Sequence, residues 1–134
     1  MDARGDVVGA APLDTRVRVS VRLPTGTPLP AHGRVRVSVE DVSRADAAAP
    51  QVVAGVFPVA PPSRGERVLG PFELTARLPP GRDYALRVHV DRSGDGHVAP
   101  GDLVSAARHT ITAGHAELEV PVETVADAPP AARG

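Results

Sequence analysis

Apolar and polar residues alternate with a period of two along most of this chain, the pattern of strands that bury one face. Val17, Val19, Val21 and Leu23 alternate with Arg18, Ser20 and Arg22, and Arg16 precedes them. After a Pro- and Gly-rich stretch from Pro24 to Gly33, Val35, Val37 and Val39 alternate with Arg36 and Ser38, behind Arg34. Val52 to Phe57 reads as a third strand. Phe72, Leu74, Ala76 and Leu78 mark a fourth, and Tyr84, Leu86, Val88 and Val90 a fifth. Residues 103–111 read as a sixth, favoured by Val104, Thr110 and Ile111. Leu118, Val120 and Val122 mark a seventh, with Glu117, Glu119 and Glu123 on its other face. Short strands with regular turn signals predict an all-β fold: a single antiparallel immunoglobulin-like or prealbumin-like β-sandwich of seven to eight strands. Its expected span is residues 14–124, between Ala/Pro/Gly-rich flexible tails at 1–13 and 125–134.

Tyr84 sharpens that expectation. It follows Leu78-Pro79-Pro80-Gly81-Arg82-Asp83 and opens a strand, the place of a tyrosine corner, whose ring packs inward while its hydroxyl bonds to upstream backbone.

One segment carries a candidate chemistry. Residues 91–102 form an oxygen-rich loop with Asp91, Ser93 and Asp95 at positions 1, 3 and 5, Gly96 at 6 and Asp102 at 12. Calcium takes six to eight oxygens, and this spacing can aim side chains and the His97 carbonyl at one point, with Gly96 making the sharp turn. The usual loop ends in Glu and has Asp or Asn at position 3, so Asp102 and Ser93 predict a weaker grip. Strands rather than helices flank the loop, which favours a structural ion over a sensor. The competing reading is a plain surface turn, because Asp95-Gly96 is a good turn dipeptide by itself.

Composition narrows the remaining classes. Phe57, Phe72 and Tyr84 are the whole aromatic complement, so Val, Leu and Ala fill the core and an added ion could matter. A hundredfold excess over its dissociation constant would add about 2.7 kcal/mol. Fifteen Arg and no Lys against sixteen acidic residues give a net charge of -1, which argues neither for nucleic acid nor for a membrane surface. No apolar run approaches the roughly 20 residues that span a bilayer. Without Cys, these residues form no disulfide, thiolate metal site or thiol-linked lipid. The start, Met1-Asp2-Ala3-Arg4-Gly5-Asp6, is not that of a signal peptide; the expectation is a cytoplasmic protein, or a periplasmic or secreted one if a leader has been removed. Arg4-Gly5-Asp6 is also a cell-adhesion tripeptide, of a kind that recurs by chance.

Arg16, Arg18, Arg22, Arg34 and Arg36 sit on outward positions of two consecutive strands and would form an anion- or partner-binding stripe if those strands paired. Ion pairing with Glu117, Glu119 and Glu123 across the sheet is the plainer reading. His89 and His109 flank the loop and could approach each other as a zinc pair, although zinc needs three or four convergent ligands. Ser105, His109 and Asp102 supply the residue types of a hydrolase, without a nucleophile elbow around the serine.

Val39-Glu40-Asp41-Val42-Ser43-Arg44-Ala45-Asp46-Ala47-Ala48-Ala49-Pro50, Pro71-Phe72-Glu73-Leu74 and Tyr84-Ala85-Leu86-Arg87-Val88 resemble the YscW/YbaY-type bacterial lipoprotein family, in order over about residues 17–112. The resemblance implies a sandwich fold and supplies no catalytic residues; one branch of that family assists outer-membrane secretin assembly in type III secretion. Prealbumin-like relatives have a similar Asp/Gly-rich loop, which agrees with the calcium reading. In physical terms, Asp41 and Ser43 end a strand and are placed to bond the backbone of the turn that follows.

The expectation is therefore a non-enzymatic binding or assembly module with one structural calcium. Its partner would be a protein or a second copy meeting an edge at Val52–Phe57, with no nucleic acid and no membrane insertion. The alternatives are a carbohydrate- or polymer-binding module with Phe57 at the rim of a groove, and a small Ser105/His109 hydrolase.

Overall fold

A computed structural model describes residues 12–26, 33–43, 50–59 and 67–126. The expected tails, apart from Pro12, Leu13, Val125 and Ala126, lie outside these residues, as do Arg4-Gly5-Asp6 and Arg44 to Ala49. The strands are β1 (Leu13–Arg22), β2 (Arg34–Asp41), β3 (Gln51–Pro58), β4 (Val68–Leu78), β5 (Tyr84–Asp91), β6 (Leu103–Ser105), β7 (His109–Ile111) and β8 (His115–Thr124). Among the described residues there is no helix.

Alternation placed the inward faces correctly. Val17, Val19 and Val21 of β1, Val35, Val37 and Val39 of β2, and Tyr84, Leu86, Val88 and Val90 of β5 are buried, with Val120 and Val122 of β8. The interior is mostly valine, whose branched side chain suits a pleated surface. Tyr84 forms the expected corner: its ring is buried and its hydroxyl donates to the Pro79 carbonyl at 2.6 Å.

The sheet departs from the expected antiparallel sandwich. Its strands run in the order β3-β2-β5-β6-β8-β1-β4, with β7 also paired to β5. β8 pairs antiparallel with β6 and parallel with β1, so one continuous mixed sheet passes through it where a sandwich would have two separate sheets. The sheet curls into a nearly closed barrel. Its terminal strands, β3 and β4, meet through side chains without a hydrogen-bonded ladder among the described residues. Phe57 of β3 and Phe72 of β4 pack with ring centroids 5.0 Å apart. Gly55 leaves room there for Leu74: a Cβ on Gly55 would lie 2.3 Å from Leu74 Cδ2.

The expected strand at 103–111 is interrupted. β6 pairs with the far end of β5 at His89 and Val90, and β7 with its near end from Tyr84 to Leu86. Ala106, Ala107 and Arg108 between them are exposed, and their small or flexible side chains have little that would hold them in the ladder.

Candidate partner-binding groove

The 91–102 loop leaves the end of β5 and returns into β6. Asp91 is completely buried, and its carboxylate gathers the first half of the loop. Oδ1 accepts from the Ser93 hydroxyl at 3.3 Å and the Gly94 amide at 3.0 Å. Oδ2 accepts from the Gly96 amide at 2.7 Å and from Arg36 Nε at 2.9 Å. Asp102, also buried, gathers the second half: it accepts from the Arg92 and Ala99 amides, each at 3.1 Å, and shares a 2.8 Å hydrogen bond with His89 Nε2. Gly96 has φ +87°, as its place at the sharp turn predicted.

Burial pushes the Asp91 carboxyl up, but the bonds from Arg36 and from the Gly96 and Gly94 amides outweigh it and hold it at about 2, against an ordinary 3.8. Ser93, Asp95 and His97 are exposed. Asp95 turns back to accept the His97 amide at 2.9 Å, a bond that lowers its pKa. The acidic and histidine groups that converge are His89, Asp91 and Asp102, whose ligand atoms lie within 4.8 Å of one another. Of the five expected ligands, Asp91 and Asp102 thus come together, while Ser93 reaches Asp91 only as a hydrogen-bond donor.

The arginine stripe does not form. β1 lies between β8 and β4, and β2 lies between β3 and β5, so Arg16, Arg18 and Arg22 are separated from Arg34 and Arg36. Alternation fixed the face of each residue but not its neighbour. Arg22 pairs with Glu119 on the parallel β8, the kind of pairing expected of that glutamate. Arg18 pairs with Glu73 at 3.6 Å, and Arg34 donates to the Gly33 carbonyl at 3.0 Å.

The hydrolase and zinc readings do not assemble. Asp102 is joined to His89 rather than to His109, and the Ser105 hydroxyl accepts the Val88 amide at 3.3 Å. His109 is paired in register with the inward Leu86, three residues from His89, so strand alternation puts the two imidazoles on opposite faces of the sheet. His109 Nε2 is buried without a hydrogen-bond partner. Phe57 is half-buried, packed on Phe72 and the core, so only part of its ring is left for the aromatic rim on which the carbohydrate reading depended.

The family-like Glu40-Asp41-Val42-Ser43 segment is a clasp. Asp41 accepts the Ser43 amide at 3.0 Å, as expected, and also Arg82 at 2.9 Å. These contacts, the Ser43 amide first, hold its carboxyl at about 2. Ser43 instead reaches the corner before β5, its hydroxyl accepting the Asp83 amide at 2.9 Å.

Beside the loop, the outer faces of β3, β2 and β5 form the floor of a groove of about 780 Å³. Register sets that floor in rows: Val56, Arg36 and His89 lie side by side, then Ala54, Ser38 and Arg87, then Gln51, Glu40 and Ala85. Val98 from the loop and Ala106, Ala107 and Arg108 from the β6–β7 link supply further lining. Val56 is 51% exposed and Val98 58%, both large for valine and both in this one groove. Two residues serve groove and loop together: Arg36 and His89 line the first and brace the carboxylates of the second. The sequence pointed to His89 only as half of a zinc pair with His109, and it did not point to the groove. The available signal was that His89 shares its face of β5 with Asp91, two residues on.

The sequence pattern of the family described as type III secretion system lipoprotein chaperone (YscW) matches residues 13–120. Among solved structures, the fold is similar to that described as an alternative pilotin from the type II secretion system of Vibrio cholerae, with a TM-score of 0.62 and 17% identity. That match covers 82% of this chain and 96% of the other. No curated protein matches the sequence.

Proposed function

The chain belongs to the YscW family of type III secretion system lipoprotein chaperones, and from that premise we propose that it is a non-enzymatic chaperone for a protein of a secretion system's outer-membrane channel. The observation that carries the reading is the family match, which runs from the first residue of β1 to the buried Val120 of β8 and so takes in nearly the whole barrel. The similarity to the pilotin fold supports it. The groove over β3, β2 and β5 offers such a chaperone a docking surface, with exposed valines for affinity and charged residues around them for selectivity. The partner the family resemblance implies is a secretin, and the matching location is the periplasm at the outer membrane.

The test is assembly. A strain lacking this protein should accumulate secretin monomers where the complemented strain holds heat-resistant multimers in its outer membrane. Equal multimer yield with and without the protein would refute the reading.

A second reading concerns calcium. It is supported by the convergence of His89, Asp91 and Asp102 within 4.8 Å, on a loop with calcium-type spacing. Because Asp91 already accepts four hydrogen bonds, an ion there would take the place of Arg36 and compete with the loop amides. Thermal melts in millimolar calcium, magnesium and EGTA decide it. A calcium-specific rise of several degrees supports an ion-filled loop, and superimposable melts leave a loop closed by its own amides.

A further inference from the structure

We propose that the groove over β3, β2 and β5 takes an acidic segment of the partner protein, with carboxylates set among small apolar side chains. The inference rests on the chaperone reading and adds to it the chemistry of the bound segment.

The argument begins with charge. The chain's net charge is -1, yet the groove lining carries Arg36, Arg87 and Arg108 and the single carboxylate of Glu40. These arginines are not equally committed. Arg36 is held by the buried Asp91. Arg87 meets Glu40 at 3.4 Å, but the Arg87 side chain is 69% exposed, so its guanidinium is free to turn to another carboxylate. Arg108 is exposed and makes no ion pair among the described residues. Two guanidinium groups, on β5 and on the β6–β7 link, are therefore available to a bidentate carboxylate from outside.

Apolar positions lie between the charges. Val56 and Ala54 sit on the β3 side, Val98 on the loop, and Ala106 and Ala107 beside Arg108. Small side chains on both walls leave the floor accessible and offer dispersion contacts to small or medium apolar groups. They provide no platform for a ring or a sugar. A basic segment would bring like charge against Arg87 and Arg108, and a purely apolar one would leave their charges partly desolvated and unpaired.

Two synthetic twelve-residue peptides test this: one alternates Glu with Val, and its counterpart alternates Lys with Val. Each is titrated into the isotope-labelled full chain by heteronuclear NMR. The acidic peptide should give saturable shifts at Ala54, Val56, Arg87, Ala107 and Arg108, and the basic peptide none there. Arg87→Glu combined with Arg108→Glu should weaken the acidic peptide by about tenfold or more while leaving the thermal melt within a few degrees, since both side chains are exposed. Equal response to the two peptides, shifts confined to other surfaces, or unchanged affinity in the double variant would overturn the inference. Secretin assembly separates this failure from failure of the function itself. If the wild-type chain supports assembly and the double variant supports it equally, the chaperone reading stands and the acidic-segment inference falls.

Discussion

Replacing Asp91 by Asn preserves the size of a buried side chain and exchanges one of its acceptor oxygens for a donor. Four donors converge on the present carboxylate, two on each oxygen. If the new NH2 takes the Oδ2 position, it faces the Gly96 amide and Arg36, and a charge-assisted bond is lost with a backbone one. If it takes the Oδ1 position, the Gly94 amide loses its acceptor, the Ser93 hydroxyl must rotate, and Arg36 keeps an oxygen but no anion. The second arrangement costs less. One unsatisfied amide at about 1–3 kcal/mol and a weakened bond to Arg36 put Asp91→Asn near 2–3 kcal/mol at neutral pH.

The assay is urea unfolding followed by far-UV circular dichroism, because the chain has no Trp and a single Tyr. Repeating it down the acid range adds a second test. The folded carboxyl sits at about 2 and the ordinary value is 3.8. Its stabilisation is thus complete above roughly pH 4 and is lost as the pH falls towards 2. The gap between wild type and Asp91→Asn should narrow across that window, while Asp41, held equally low, titrates alike in both proteins and cancels. A neutral-pH gap below about 0.5 kcal/mol would refute the account of the loop, as would a gap that stays constant on acidification.

Two further outcomes follow from packing. Tyr84→Phe removes the 2.6 Å bond to the Pro79 carbonyl and should cost about 1–2 kcal/mol, read as a lower melting temperature; an unchanged melt would mean the corner is held by ring packing alone. Gly55→Ala places a methyl 2.3 Å from Leu74 Cδ2 and 2.9 Å from Phe57 Cζ, and should cost about 1–3 kcal/mol. Combined with Leu74→Ala, its effect should be smaller than the sum of the two single losses; strict additivity would show that the β3–β4 junction is not tightly packed.

How much of this was legible in the sequence depended on the range of the interaction. Alternation identified Val17, Val35, Leu86 and Val120 as core residues because burial of one face is imposed residue by residue. Tyr84 and Gly96 were legible for a similar reason, since each answers to a few neighbouring residues. Strand order was not legible. Nothing in Val17-Arg18-Val19 specifies that β8 will lie parallel beside it, so the arginines of β1 and β2 looked like one stripe when they lie in different parts of the sheet. The loop shows the boundary most clearly. Its spacing made Asp91 and Asp102 conspicuous, but Arg36, 55 residues before Asp91, becomes its partner only once β2 and β5 pair. The groove is further removed, being a product of register across three strands.

The parallel pairing of β1 with β8 also bears on how the molecule is made. Arg16 lies opposite His115 and Arg22 opposite Pro121, contacts that close a chain loop of about a hundred residues. Among the described strands, β8 alone is hydrogen-bonded both to the β1/β4 pair and to the β3-β2-β5-β6 part of the sheet. Those two parts share no ladder until β8 slots between them. Folding should then be limited by that late closure, at rates typical of high-contact-order β proteins. While β8 is free, the chain remains open, threadable and within reach of proteases. A cut ahead of His115 would leave two half-sheets with exposed valine faces instead of a slightly smaller barrel.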